Sequence, residues 1–151
     1  MTKTIRLDEL RASVGKEVAL SDWLAITQDR IDAFAAVGED RQWIHVDPER
    51  ARRESVYGGA IAHGFLTVAL LSHLRETAFE FADQKMGVNY GFNRLRFTGP
   101  VLAGSRIRGR FALAALEDLP GGVQTTWACT VECEGSDKPA LVCEWITRHY
   151  G

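Results

Sequence analysis

The sequence predicts an α+β domain in which an antiparallel sheet wraps around one long, buried helix. Three observations carry that expectation. The chain changes character near residue 84, with helical signals before it and strand signals after it. The stretch from Phe65 to Leu74 is apolar nearly all round, which a helix tolerates when most of its sides are covered. Later runs alternate apolar and polar residues, the period of strands with one buried face. A chain of 151 residues is one domain of usual size, spanning 1–151. It can bury about 70% of its extended surface and needs no disulfide or metal staple.

The elements follow in order. Val18 to Ile26 reads as a first strand. Thr27 then fits as an N-cap, with Asp29 in the first turn, where the helix dipole favours an acid. Ile31, Phe34 and Ala35 follow at helical spacing, and Gly38 is placed to end that helix. Asp47-Pro48 starts a short second helix: a capping acid, then proline at the first helical position. A third helix is expected from about His63 to Phe81, its second half emerging into water with Arg75, Glu76, Glu80 and Asp83. Val88, Tyr90 and Phe92 alternate, and a slip before Leu95 and Phe97 predicts a bulge near Asn93-Arg94. Ile107, Phe111 and Leu113 alternate with Arg106, Arg108 and Arg110. Val123, Trp127, Cys129, Val131 and Cys133 alternate with polar residues, and Ala140 to Tyr150 is the last strand. The breaks at 99–104, 120–122 and 135–139 are each short enough for a hairpin. Five strands and one greasy helix give the hot-dog architecture, with an α+β sandwich of another topology as the competing arrangement.

Composition excludes several classes. Hydrophobic residues at 46% and charged residues at 25% are an ordinary folded mixture, not that of a disordered chain. A net charge of -2 provides no global positive field for nucleic acid. The N-terminus MTKTIRLDEL has no apolar run, so no secretory signal is expected, and Gly64 to Leu71 is far short of a membrane span. Cys129 and Cys133 on one strand would lie roughly 13 Å apart, too far for a disulfide or a shared metal. With Cys143 they read as core thiols in a reducing cytoplasm.

Two polar features stand out. Gly38-Glu39-Asp40-Arg41-Gln42-Trp43-Ile44-His45 lies between helix signals and reads as a loop, the usual home of functional groups. Asp40 and His45 are spaced to converge on one water or substrate, although a solvated loop produces such pairs by chance. Gly59-Ala60-Ile61-Ala62-His63-Gly64-Phe65 forms the mouth of the buried helix. Free N–H groups in a first helical turn stabilise an oxygen gaining negative charge. The same glycines would equally serve tight packing alone. Together the two features suit proton transfer next to a carbonyl.

Asp40-Arg41-Gln42-Trp43-Ile44-His45 and Ile61-Ala62-His63-Gly64 resemble the MaoC-like dehydratases, a family that includes (R)-specific enoyl-CoA hydratases and a nodulation-protein-N-like group. The Gln-Trp-Ile-His wording is similar to the latter branch. The likeness runs from about Gly15 to the C-terminus, including Val88-Asn89-Tyr90-Gly91 and Arg94 to Pro100. One departure is Glu39, where the family often has glycine: a position needing φ > 0 would force a slightly different loop, and Glu39 sets a second negative charge beside Asp40.

The resemblance implies a lyase acting on an acyl-CoA thioester. The carbonyl oxygen would rest on the Gly64 N–H, while Asp40 and His45 hold one water and exchange protons with it and with Cα on one face. Ile61, Ala62 and His63 are expected along the substrate's approach, with His63 orienting the helix entrance rather than ionising. Gln42 sits where relatives carry an amide, and Ser72 matches a family serine near the catalytic aspartate. No metal or cofactor is implied, coenzyme A being part of the substrate. A homodimer with joined sheets is implied, with each pocket near the interface.

Competing readings are weaker on the same residues. A hot-dog thioesterase would want a carboxylate on the first half of the central helix, which has none. A non-catalytic acyl-binding module would not need both Asp40 and His45. A further clue is the stretch 84–116, which contains Lys85, Arg94, Arg96, Arg106, Arg108 and Arg110 and no Asp or Glu. Like charges on one strand face repel unless offset. A coenzyme A phosphate at Arg106 and Arg108 would do so, as would Glu76, Glu80 or another subunit. Trp43, Phe65, Tyr90 and Phe92 are candidates for the acyl channel or the core. His73 and His149 carry no partner signal.

Overall fold

The computed structural model describes residues 2–151. Strand β1 (Lys3–Ile5) and a 3-10 segment (Leu7–Ser13) precede β2 (Lys16–Leu20) and β3 (Leu24–Ala25). Helices α1 (Gln28–Gly38), α2 (Trp43–Val46), α3 (Pro48–Glu54), α4 (Gly64–Ala69) and α5 (Leu71–Ala78) follow. Strands β4 (Phe79–Phe81), β5 (Met86–Phe97), β6 (Arg106–Leu119), β7 (Gly122–Cys133) and β8 (Leu141–Tyr150) complete the chain. The main sheet has the order β2-β6-β7-β8-β5, with β3 also on β6, and every pairing in it is antiparallel.

This is the hot-dog arrangement, with α4 and α5 as the central helix. Leu66, Leu71 and Leu74 of that helix share a core with Ile107, Phe111, Leu113, Trp127, Val131 and Leu141 of the sheet. Gly109 lets the two layers approach, since a Cβ there would stand 3.2 Å from the Leu74 Cβ. The Phe79 ring lies 4.9 Å from Trp127 and 6.0 Å from Phe111, joining the helix end to β6 and β7.

The expected caps are present: Thr27 Oγ1 accepts the Arg30 N–H, and Asp47 Oδ1 accepts that of Arg50. The predicted bulge appears between Phe92 and Arg94, with a second between Asn89 and Gly91. Other boundaries moved. The central helix ends at Ala78, not Phe81, because Phe79-Glu80-Phe81 alternates buried, exposed, buried and pairs parallel with β1. The helix is also not covered all round: Phe65 is 70% exposed and Ala69 stands open. The first strand is interrupted at Ser21, whose N–H donates to the Gly109 carbonyl while its Oγ accepts the Gly109 N–H.

One topological expectation fails with consequences for function. The 99–104 break is not a hairpin. β5 pairs with β8, so the chain after β5 must cross the sheet to reach β6. That crossover packs on the segment before α4: Ala62 donates to Val101 O at 2.8 Å and Ala103 to Ala60 O at 2.9 Å.

The three cysteines are buried and free. Cys129 and Cys143 are direct partners across β7 and β8; hydrogen bonding to Cys143, and then burial, push the Cys129 thiol well above its ordinary range. Among the described residues, no helix is long and apolar enough to cross a membrane.

Candidate active site

The site begins where α1 ends. The left-handed residue there is Glu39, at φ 58°, not Gly38. That backbone costs a side-chain-bearing residue about 1–2 kcal/mol. The loop thus keeps the positive-φ turn without the glycine, and Glu39 carries the strain. Its carboxylate pairs with Arg41.

Asp40 follows, its Oδ1 accepting the Gln42 N–H at 3.3 Å. The Gln42 carbonyl then accepts the N–H groups of His45 and Val46, at 3.0 and 3.3 Å. Residues 43–46 are therefore a helical turn rather than the irregular loop expected, and that turn places His45 inward. Gln42 acts through its main chain; its side chain is exposed.

His45 is 7% exposed, and its Nδ1 lies 2.7 Å from the Ile61 carbonyl. A carbonyl only accepts, so Nδ1 carries the proton and Nε2 of the neutral ring keeps a free lone pair. Gln28 Nε2 donates to the His45 carbonyl at 2.7 Å, fixing the turn from below. The His63 ring stacks on His45 with centroids 3.8 Å apart, and its Nε2–H donates to the Asp40 carbonyl at 2.9 Å. Asp40, His45 and His63 each offer a carboxylate oxygen or ring nitrogen within 4.8 Å of the others. Two hydrogen bonds of about 2.8 Å at one water span such a gap.

Beside this corner lies a cavity of about 280 Å³, lined by His45, Tyr57, Ile61, Gly64, Thr67 and Phe97 among others, with the crossover as its far wall. Ala62 also lines it. The Ile61 N–H donates to the Ile44 carbonyl at 3.0 Å, tying this segment to α2. Gly64 opens α4, and its N–H belongs to the first-turn donors that have no partner in the helix. A Cβ at Gly64 would meet the Phe97 ring at 2.8 Å, so glycine is what leaves this helix start open.

Other expected residues lie elsewhere. Ser72 lines a separate cavity of about 200 Å³ with Arg75, Gln84 and His149. His63 is buried and does not line the reactive cavity. The arginine stripe is offset within the chain. Arg106 pairs with Glu134, Arg108 with Glu132, and Arg110 with Glu132 and Glu17. These bonds lower the carboxyls of Glu132 and Glu134 below their ordinary range. The acids come from β7, from the residue just after it and from β2, not from Glu76 or Glu80, and they offset the repulsion without a phosphate. Trp43 lies under Arg50, and Tyr90 under Arg148. Phe65 and Phe92 are exposed. None of the four lines the reactive cavity.

Sequence reasoning missed Tyr57, Thr67, Phe97 and the crossover wall. Thr67 had a signal, since it sits three residues after Gly64 on one helix face. The wall had none, because it depends on which strand β5 pairs with.

By distance alone, Asp40, His45 and His63 could take a metal. The geometry does not fit one: with the two rings only 21° from parallel, an ion about 2 Å from a nitrogen of each cannot lie in both ring planes. The arrangement suits proton transfer instead.

A hot-dog sheet around a helix, with Asp40 and His45 beside the start of that helix, is the arrangement expected of a dehydratase-type domain. The chain belongs to the MaoC-like dehydratase family: the profile of the MaoC like domain matches residues 9–128. It is 48% identical over 142 residues to 3-hydroxyacyl-thioester dehydratase Z of Mycobacterium tuberculosis, covering 93% of both chains. It is 47% identical over 144 residues to Nodulation protein N of Rhizobium meliloti, covering 94% of this chain and 89% of that one. Among solved structures, the R-hydratase PhaJ1 from Pseudomonas aeruginosa superposes with a TM-score of 0.70 at 27% identity, covering 89% of this chain and 79% of that one.

Proposed function

We propose that this protein is an (R)-specific hydro-lyase that interconverts trans-2-enoyl and (R)-3-hydroxyacyl thioesters, with coenzyme A as the expected carrier. The observation that carries this reading is the tautomer of His45. Its Nδ1–H is committed to the Ile61 carbonyl, so Nε2 is left as a proton acceptor on a ring that has a nitrogen within 4.8 Å of an Asp40 carboxylate oxygen. The thioester carbonyl rests on the Gly64 N–H, which stabilises the enolate oxygen as it gains charge. Asp40 and His45 hold the water. As its oxygen bonds to Cβ, the pair takes one proton from it and delivers one to Cα on the same face. Dehydration is the reverse. The pair and the helix start supply all the groups this chemistry requires, so no cofactor is invoked. The named activities of the dehydratase and hydratase relatives support the same class.

The test is a panel of enoyl-CoAs of increasing length, followed by loss of the conjugated enoyl thioester absorbance, with the product's configuration determined. Saturable loss giving the (R)-3-hydroxyacyl thioester is expected. Release of free thiol without hydration would favour a thioesterase instead.

A homodimer joined along β5 belongs to this proposal. What supports it is an apolar, unpaired edge: Met86, Val88, Tyr90, Phe92 and Phe97 of β5 are exposed, and Phe65 of the open helix face packs against Phe97. An edge of this kind is a template for pairing. Sedimentation should give twice the chain mass. The buried free thiols support a reducing, cytoplasmic setting.

A further inference from the structure

His63 contacts both Asp40 and His45 and yet does not line the cavity beside them. It is 3% exposed, its Nε2–H donates to the Asp40 carbonyl at 2.9 Å, and its ring stacks on His45 at 3.8 Å. Phe34 closes on the ring at 5.0 Å. The His63 carbonyl accepts the N–H groups of Leu66 and Thr67, so the residue also sets the start of α4 beside Gly64. Its Nδ1 is buried with no hydrogen-bond partner among the described residues.

That orphan atom separates two roles. A residue that only filled space would be no worse as phenylalanine, which has a similar ring and no buried acceptor to leave unpaired. A histidine there makes sense if the Nε2–H is what matters. Asp40 needs that help. Its side chain is exposed, its Oδ1 has one long bond to the Gln42 N–H, and the preceding Glu39 holds a left-handed backbone.

We propose that His63 is a positioning residue for the hydration reaction. By clamping the Asp40 main chain while stacking on His45, it holds the two groups at the separation at which they share one water. The proposal rests on the hydratase reading. Binding is set by the cavity, so the loss on removing the clamp falls on kcat, and small misplacements of catalytic groups are costly.

The experiment is a cycle of four proteins: wild type, His63→Phe, Asp40→Asn and the double variant, assayed at steady state on a short enoyl-CoA. His63→Phe should stay folded, lose about 10- to 100-fold in kcat and keep KM within about threefold. On the Asp40→Asn background the same change should cost less than about twofold, because its effect runs through Asp40. His63→Gln, which returns an N–H near the Nε2 position, should recover a large part of kcat, and His63→Leu replaces His63→Phe in the cycle if that variant does not fold. An unchanged kcat in folded His63→Phe, or equal losses on both backgrounds, overturns the clamp. Absence of hydration by the wild type overturns the hydratase reading, and the clamp with it.

Discussion

Two buried histidine environments in this molecule are equally dry and oppositely wired. His149 is 3% exposed on β8, as sealed as His63. Around it every polar atom is used. Trp127 Nε1–H and the Thr125 hydroxyl donate to Thr147 Oγ1 at 3.2 and 2.7 Å. Thr147 donates onward to His149 Nε2 at 2.7 Å, and His149 Nδ1–H donates to Gln84 Oε1. In the reactive corner, each histidine commits one nitrogen to a backbone carbonyl and leaves the other unspent. A network that only holds the fold saturates its lone pairs, because an unpaired buried polar group costs about 1–3 kcal/mol. The proposed proton transfer needs an acceptor kept free, which the His45 ring supplies, whereas the unpaired His63 Nδ1 accompanies its Nε2–H bond to the Asp40 carbonyl.

The sharpest way to test that contrast is to remove the unspent groups. Asp40→Asn or His45→Gln should lower turnover on the order of 10³-fold, about 4 kcal/mol in the barrier. Neither should move the thermal midpoint by more than a few degrees, since Asp40 is exposed and Gln retains a donor for the Ile61 carbonyl. Near-normal hydration by both variants would remove these residues from the chemistry.

Thr147→Val makes the converse case. The shape is kept, but Trp127 Nε1, fully buried, loses its acceptor and His149 Nε2 loses its donor. The expected cost is about 3 kcal/mol of folding stability with kcat/KM unchanged. A loss of activity at unchanged stability would contradict the division of roles.

How much of this was legible in the sequence follows from the range of the interactions. Thr27, Asp47 and Pro48 announced their helices because caps are satisfied within four residues. The alternation of β6 and β7 gave the sheet, and the slip near Asn93 gave its bulge. Asp40 and His45 were singled out by their spacing within one short segment, and Ile61 and Gly64 by the resemblance of a second segment to the family pattern; that the two segments meet, as in the His45–Ile61 hydrogen bond, is a long-range fact. What failed was long-range. The crossover looked like a hairpin, since nothing between 99 and 104 says that β5 pairs with β8. The partners of Arg106 and Arg108 lie more than twenty residues away, on a strand whose register no local pattern sets. The network around His149 was only half local: Thr147 is two residues away on the same strand, but Gln84 is 65 residues distant.

The same saturated network makes a prediction from pH alone. Burial, and then the charge of Arg75, lower the His149 pKa to about 4. Its ring is therefore neutral in the fold at pH 7, as the network demands: protonated Nε2 could no longer accept from Thr147. In the unfolded chain the same imidazole titrates near about 6.5. Above that value neither state holds the proton, and the group adds no pH dependence. As pH falls below it, the unfolded chain takes up a proton that the folded one refuses, so stability drops until the folded value is reached. Between pH 7 and pH 5 this amounts to about 2 kcal/mol. Urea unfolding at the two pH values should show that loss in wild type. His149→Gln should show a difference smaller by about the same amount, whatever its absolute stability. Identical pH slopes in the two proteins would mean that His149 accepts its proton inside the fold, and the contrast between the saturated and the reactive histidines would fail at its quiet end.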